Sequence, residues 1–237
     1  MRKNILAFIL GMAMVLWISP DLMGYFQYRV DFTSRYIWRG FDLNPNKQPA
    51  LQPSLEYGCG DCGFTFSLWS SFSFSDRNAN EIDLAFTYDF RLRGNLSLNA
   101  GFIHYGWSFV DNFSFREDTT QELFISAALP KLCFHPRLTV FYDFGNGDGF
   151  YILLEGSYAH RFSGSVKGVL SGSLGYNGGQ WLAEGSDPGF SDANLGADLI
   201  FRLGRFTVSP FLRLTRVLLE AIGRQTHFWF GLSISYQ

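Results

Sequence analysis

Long apolar runs are almost missing from this chain of 237 residues, although 47% of it is hydrophobic. Mean hydropathy is only +0.02. A bundle of membrane-spanning helices needs runs of about 20 apolar residues each, so that architecture is excluded. Charge of one sign is scarce too: 19 Lys and Arg stand against 21 Asp and Glu, a net charge of −2. Nucleic acid, which calls for a basic footprint, is excluded as a partner. Histidine is limited to four residues and cysteine to three. The sequence contains no Gly-x-x-x-x-Gly-Lys-Ser/Thr, no His-Glu-x-x-His and no Gly-x-Ser-x-Gly. It therefore offers no phosphate loop, no metal motif, no nucleophile elbow and no reason to expect a cofactor.

The one long apolar run, Ile5 to Ile18, follows Arg2 and Lys3 and ends at Ser19-Pro20-Asp21. A charged segment, a short apolar segment and a stop make a secretory signal. Gly24 is the best small residue for the position before the cut, although no Ala-x-Ala triplet occurs. The expected organisation is a signal peptide over 1–24 and an exported domain over 25–237. Export leads to an oxidising compartment. Cys59-Gly60-Asp61-Cys62 has the look of a metal or redox motif, but zinc needs about four ligands and there is no second pair. The spacing leaves a turn with either a local disulfide or two free thiols, and Cys133 is unpaired by count.

What the chain does have is aromatic residues, 18% of the total with 26 Phe, and 25 Gly. From Tyr25 onward the dominant period is two. In Ile82 to Phe90 one face is Ile, Leu, Phe, Tyr and Phe, and the other is Asp, Ala, Thr and Asp. Val166 to Tyr176 and Phe228 to Tyr236 repeat the pattern. Such alternation is a strand with one apolar face. Marking every such segment predicts about twelve strands, an even number as in bacterial single-chain barrels. They fall at 27–39, 50–58, 63–74, 80–91, 94–106, 118–129, 136–144, 150–162, 165–176, 191–203, 205–216 and 226–236. Pro210 lies inside one of them and predicts a bulge there.

Connections alternate in length. Those at 57–63, 91–94, 162–165 and 203–205 are short, and that at 129–136 is a little longer. Those at 40–49, 75–79, 107–117, 145–149, 177–190 and 217–225 are mostly longer and polar. Short turns on one side and long loops on the other are the outer-membrane pattern, with the short turns and both termini in the periplasm. Aromatic residues gather near strand ends: Tyr25, Phe26, Tyr57, Phe90, Phe162 and Tyr236 at one rim, and Tyr36, Trp38, Phe72, Phe74, Tyr105, Trp107 and Tyr176 at the other. Two girdles at the lipid–water interfaces follow. A soluble sandwich or lipocalin-like barrel would alternate as well, with its apolar face inward. The girdles, the segregated loops and the aromatic-tipped last strand favour an all-β transmembrane up-and-down antiparallel barrel.

Ser34-Arg35-Tyr36-Ile37-Trp38-Arg39-Gly40-Phe41, followed by Pro49-Ala50-Leu51-Gln52, resembles the first hairpin of the TorF family of porins. Tyr36, Arg39, Gly40, Pro49, Ala50 and Gln52 carry the resemblance, and Trp69 and Glu81-Ile82-Asp83-Leu84 add to it. It covers about the first third of the mature chain and implies a Gram-negative outer-membrane porin. The Cys-x-x-Cys turn is not part of that pattern.

With the apolar face outward, the inward face carries Arg29, Arg35, Arg39, Glu56, Asp83, Asp89, Glu122, Asp143, Lys167, Asp198, Arg202 and Arg213 as expected pore-lining residues. Asp31 joins them. Bases concentrate on the first strand and on 165–216; acids concentrate on 50–144. Charged lumen residues tune selectivity. The expected function is passive diffusion of small hydrophilic solutes. The implied partners are outer-membrane lipid and lipopolysaccharide, with periplasmic chaperones and the barrel-assembly machinery during biogenesis. Opposed charges that pair would instead plug the lumen and leave a structural or adhesive barrel, with the Trp181 loop as its contact surface. A lipid hydrolase would need a Ser–His pair, and His104, His135, His160 and His227 show no local sign of one, so the chain reads as non-enzymatic. Loop segregation makes a direct prediction: tags at Asn44 and Asp187 are labelled on intact cells, whereas a tag at Gly94 is labelled only after permeabilisation. The reverse pattern would invert the topology.

Overall fold

The computed structural model describes residues 24–44, 48–59, 62–74, 80–90, 92, 94–107 and 119–237. The signal-peptide run and most of the loops expected at 75–79 and 107–117 lie outside the described residues. The strands are β1 (Tyr25–Thr33), β2 (Ile37–Trp38), β3 (Phe41–Asp42), β4 (Ala50–Gly58), β5 (Phe64–Ser73), β6 (Glu81–Phe90), β7 (Ser97–Trp107), β8 (Thr119–Ala128), β9 (Arg137–Asp143), β10 (Gly149–Arg161), β11 (Val166–Gly178), β12 (Gly189–Leu203), β13 (Phe206–Val217) and β14 (Thr226–Tyr236). All except β2 and β3 form one closed antiparallel barrel of twelve strands, sealed by β1 against β14.

Burial is inverted relative to a water-soluble protein. Phe32, Phe86, Ile125, Leu170, Leu195 and Phe228 are exposed, while Thr120, Glu122, Asp143, Asp192 and Thr215 are buried. The apolar face therefore points outward, as in a lipid-facing barrel, and the lipocalin-like alternative is set aside. The start of β1 and the end of β14 lie at the end that carries the short turns. One of these turns joins Leu203 to Phe206, which pair directly. Gly204 has φ 65°, a left-handed conformation that costs glycine least.

Three expectations are corrected. The first strand stops at Thr33 rather than continuing to residue 39. Ser34 caps it by donating its amide to Phe230 O at 2.8 Å, and the chain then leaves the wall. Tyr36, Trp38 and Tyr105 accordingly do not belong to a lipid girdle: Tyr36 packs on Trp69, and Trp38 packs edge-on to Tyr105, all within the barrel. Finally, Pro210 produces no bulge. The β12–β13 ladder passes from Asp198↔Phe211 to Phe201↔Val208, skipping two rungs and resuming in the same register. Pro53 does the same between β4 and β5, from Leu51↔Phe72 to Ser54↔Trp69. Each proline lacks the N–H that would face the skipped strand and still takes its place beside the other neighbour. The register does shift between Gly175 and Tyr176, opposite Ser191.

Glycines on the inner wall let large rings lie flat. A Cβ on Gly231 would meet the Phe211 ring and the Phe32 carbonyl; one on Gly101 would meet the Phe124 ring. Gly231 lies on the strand that closes the barrel, paired with Thr33 and Phe211. Gly231→Val is therefore expected to destabilise the barrel by about 1–3 kcal/mol through overpacking, read as a lower unfolding temperature in detergent. Unchanged stability would show that the ring can move aside.

Candidate functional site

The segment that leaves β1 folds into the barrel instead of rising from its rim. Thr33 Oγ1 donates to Arg35 O at 2.7 Å, which turns the chain. β2 and β3 pair Ile37 with Asp42 and Trp38 with Phe41, and Leu43 N donates to Tyr36 O at 2.9 Å. Arg39 and Gly40 form the tip at φ 50° and 89°. For Arg39 this left-handed backbone costs roughly 1–2 kcal/mol, so something must hold it.

The far wall supplies the hold. Arg39 donates Nη1 to Glu122 Oε1 at 2.5 Å and Nη2 to Glu122 Oε2 at 2.9 Å. It also bonds Gln180, from the β11–β12 loop, which in turn bonds Glu122. Tyr105 donates its hydroxyl to Glu122 Oε2 at 2.8 Å. Three rings enclose the guanidinium: its carbon lies 4.5 Å from the centroid of Trp38, 4.3 Å from Phe141 and 4.5 Å from Tyr151. The side chains of Arg39 and Glu122 are 7% and 0% exposed. A forked, charge-assisted pair at this burial is the strong kind.

The hairpin's base is tied as well. Arg35 Nη1 donates to Asp42 Oδ2 at 3.2 Å and to His227 Nδ1 at 2.8 Å. Tyr36 donates its hydroxyl to Glu81 Oε2 at 2.9 Å. Neighbouring carboxylates are answered locally: Thr120 donates to Asp143 at 2.5 Å, and Tyr151 donates to Asp192 at 3.0 Å. Below the hairpin, toward the termini, lies a cavity of about 670 Å³ whose lining includes Arg39, Arg137, Glu155, Ser173, Asn194 and Trp229.

The expected lumen residues thus separate into groups. Arg35 and Arg39 are in the lumen but not on the wall; both belong to the inward hairpin. Glu122 and Asp143 surround its tip. Asp83 shares the inward face of β6 with Glu81. On the wall, Arg213 pairs with Asp198 at 2.7 Å and Arg29 with Asp31 at 2.8 Å. Glu56, Asp89, Lys167 and Arg202 take inward register positions near the terminus-bearing end. Glu56 there accepts the Tyr25 hydroxyl at 3.0 Å. Cys59 and Cys62 are joined as a disulfide in the β4–β5 turn, away from the lumen cluster. Sequence reasoning missed Gln180, Tyr151 and Phe141. All three gain their role only when distant strands are brought together, and nothing local marks them. It also passed over Arg161, whose alternation with Glu155 was a usable signal.

Among solved structures, the chain resembles the NanC porin, with a TM-score of 0.57 and 11% identity over 90% of this chain and all (100%) of that one. It resembles the KdgM porin at 0.58 and 11%, over 90% and 98%. It also resembles LpxR from Salmonella typhimurium at 0.54 and 12%, over 89% and 99%. At such identities the likeness is one of fold. No protein-family model matches the chain, and no curated protein is similar to it in sequence.

The Arg39–Glu122 pair makes a quantitative prediction. Glu122→Gln strands a buried guanidinium and should cost roughly 3–5 kcal/mol, measured by urea unfolding in lipid vesicles. Arg39→Ala should cost a similar amount. The double variant should cost clearly less than the sum, because both changes remove one interaction. Additive losses would show that the two residues act separately.

Proposed function

We propose that this protein is an outer-membrane porin-like channel for passive diffusion of small hydrophilic solutes. On this reading residues 1–24 export it, both termini face the periplasm, and the inward hairpin narrows the path near the outer surface. The observation that carries the proposal is the cavity of about 670 Å³, lined by both charged and apolar side chains, inside a barrel with an apolar exterior. Twelve strands lie between the packed eight-stranded barrels and the open porins of 16–18 strands, which suits a lumen that is wet but constricted. The fold likeness to porins supports the same reading, and KdgM has been solved in complex with disordered oligogalacturonate.

The likeness to the TorF family gains a physical meaning. Tyr36, Arg39 and Gly40 build the hairpin, Trp69 packs against Tyr36 with its ring tilted, and Glu81 accepts the Tyr36 hydroxyl. These residues, scattered through the first third of the mature chain, converge on one constriction, so we assign this part of the shared pattern to it. The four histidines are distributed over the barrel. His227 is engaged by Arg35, and His104 is on the outward face beside Gln121. His160 packs on Phe162, and His135, in the β8–β9 turn, lines the cavity.

Selectivity falls to the charges at the terminus-bearing mouth. Glu56 and Asp89 flank β5, while Arg161, Lys167 and Arg202 lie on and around β11. In the ring of twelve strands β5 and β11 are six places apart, hence opposite. In planar bilayers, Arg39→Ala should raise single-channel conductance several-fold over the wild type. Glu56→Gln with Asp89→Asn should move the reversal potential toward anion preference, and Lys167→Gln with Arg202→Gln toward cation preference. Both shifts should shrink as salt shortens the Debye length from about 10 Å at 0.1 M to about 3 Å at 1 M. No conductance from either the wild type or Arg39→Ala would reject the channel.

A further inference from the structure

We propose that the lumen wall around Glu122 is a recognition site for guanidinium-bearing solutes, and that Arg39 fills it as a ligand supplied by the same chain. The wall brings every element such a ligand requires. Glu122, with a side chain 0% exposed, offers two carboxylate oxygens to a forked donor. Phe141 and Tyr151, from adjacent strands with centroids 6.2 Å apart, offer ring faces to a flat cation. Gln180 offers an amide oxygen to the same guanidinium nitrogen that meets Glu122. Carboxylate fork, aromatic faces and a neutral acceptor together select a planar cation with several N–H donors.

The occupant is attached differently from the site. Its site is built on β8, β9, β10 and the β11–β12 loop, all outside the hairpin. Arg39 sits at the tip of two paired two-residue strands, in a left-handed conformation. The rigid partner is the wall and the removable one is the hairpin. A free guanidinium that takes the Arg39 position leaves the hairpin without its main anchor, which couples ligand binding to the width of the path. Binding itself does not depend on conductance, so the site and the channel reading fail separately.

The test uses the refolded full barrel in detergent. Arg39→Ala is titrated with methylguanidinium, tetramethylammonium or potassium at matched ionic strength, following tryptophan fluorescence and the unfolding temperature. Methylguanidinium should bind saturably and bring the unfolding temperature back toward that of the wild type. Tetramethylammonium, which can stack but cannot donate, should bind about tenfold more weakly. Adding Glu122→Gln should weaken methylguanidinium by about tenfold or more. If Arg39→Ala does not refold, Arg39→Gly also empties the site and suits the left-handed backbone at this position. A refolded variant without a saturable methylguanidinium response would overturn the proposal. So would equal binding to the Glu122→Gln double variant, or an equal response to tetramethylammonium or potassium.

Discussion

In the hydrocarbon of a bilayer, a backbone N–H or C=O without a partner costs several kcal/mol, and no water is there to supply one. A sheet satisfies this only by having no edge. The β1–β14 ladder, from Tyr28↔Tyr236 to Thr33↔Gly231, removes the edge here. Other features follow from that closure. The pleat sends alternate side chains to lipid and to lumen, so a chain with 47% hydrophobic residues can still have near-neutral hydropathy. Pro53 and Pro210 fit because each gives up its ladder on one side only, and the strands pick up the same register two rungs later.

Closure also creates the problem inside. Glu81, Asp83, Glu122, Asp143 and Asp192 face an interior too narrow to hydrate them all, and a buried carboxylate is expensive unless it is paired or hydrogen-bonded. The chain answers most of them with short neutral donors, such as Thr120 for Asp143 and Tyr151 for Asp192. Glu122 receives a full charge from the hairpin. A left-handed arginine costs roughly 1–2 kcal/mol, against roughly 3–5 kcal/mol for leaving a buried charge without its partner. The ion pair wins, and it determines where the hairpin sits.

How much of this was legible follows from the range of the interactions. Period two is local, so Ile82 to Phe90 was readable as strand and matches β6 closely. The loop lengths are local too, and the segregation they imply is present in the fold. The Arg35–Asp42 segment misled for a physical reason. Tyr36-Ile37-Trp38-Arg39 is extended and apolar enough to continue β1, and its departure depends on Glu122, 83 residues away. A sum over the charges of each strand cannot show that one base has crossed to the acidic side. The expected basic wall is weaker than it looked, because Arg35 and Arg39 left it and Arg213 is paired beside it with Asp198.

The lumen therefore handles charge in two ways at its two ends. At the long-loop end, Arg39 and Arg35 touch Glu122 and Asp42, and Glu81, Asp143 and Asp192 are held by neutral hydroxyls, so each charge there is engaged in a short contact. At the terminus-bearing end, Glu56 and Asp89 face Arg161, Lys167 and Arg202 across the full width, so their fields add in the middle of the path. If the proposed channel conducts, only the second arrangement can act on an ion before it makes contact. Only the first can hold a segment of chain in place. On the proposed channel reading, width and selectivity fall to different residues at different depths, and a change in one set need not disturb the other. That separation lets one lumen be both obstructed and electrically asymmetric.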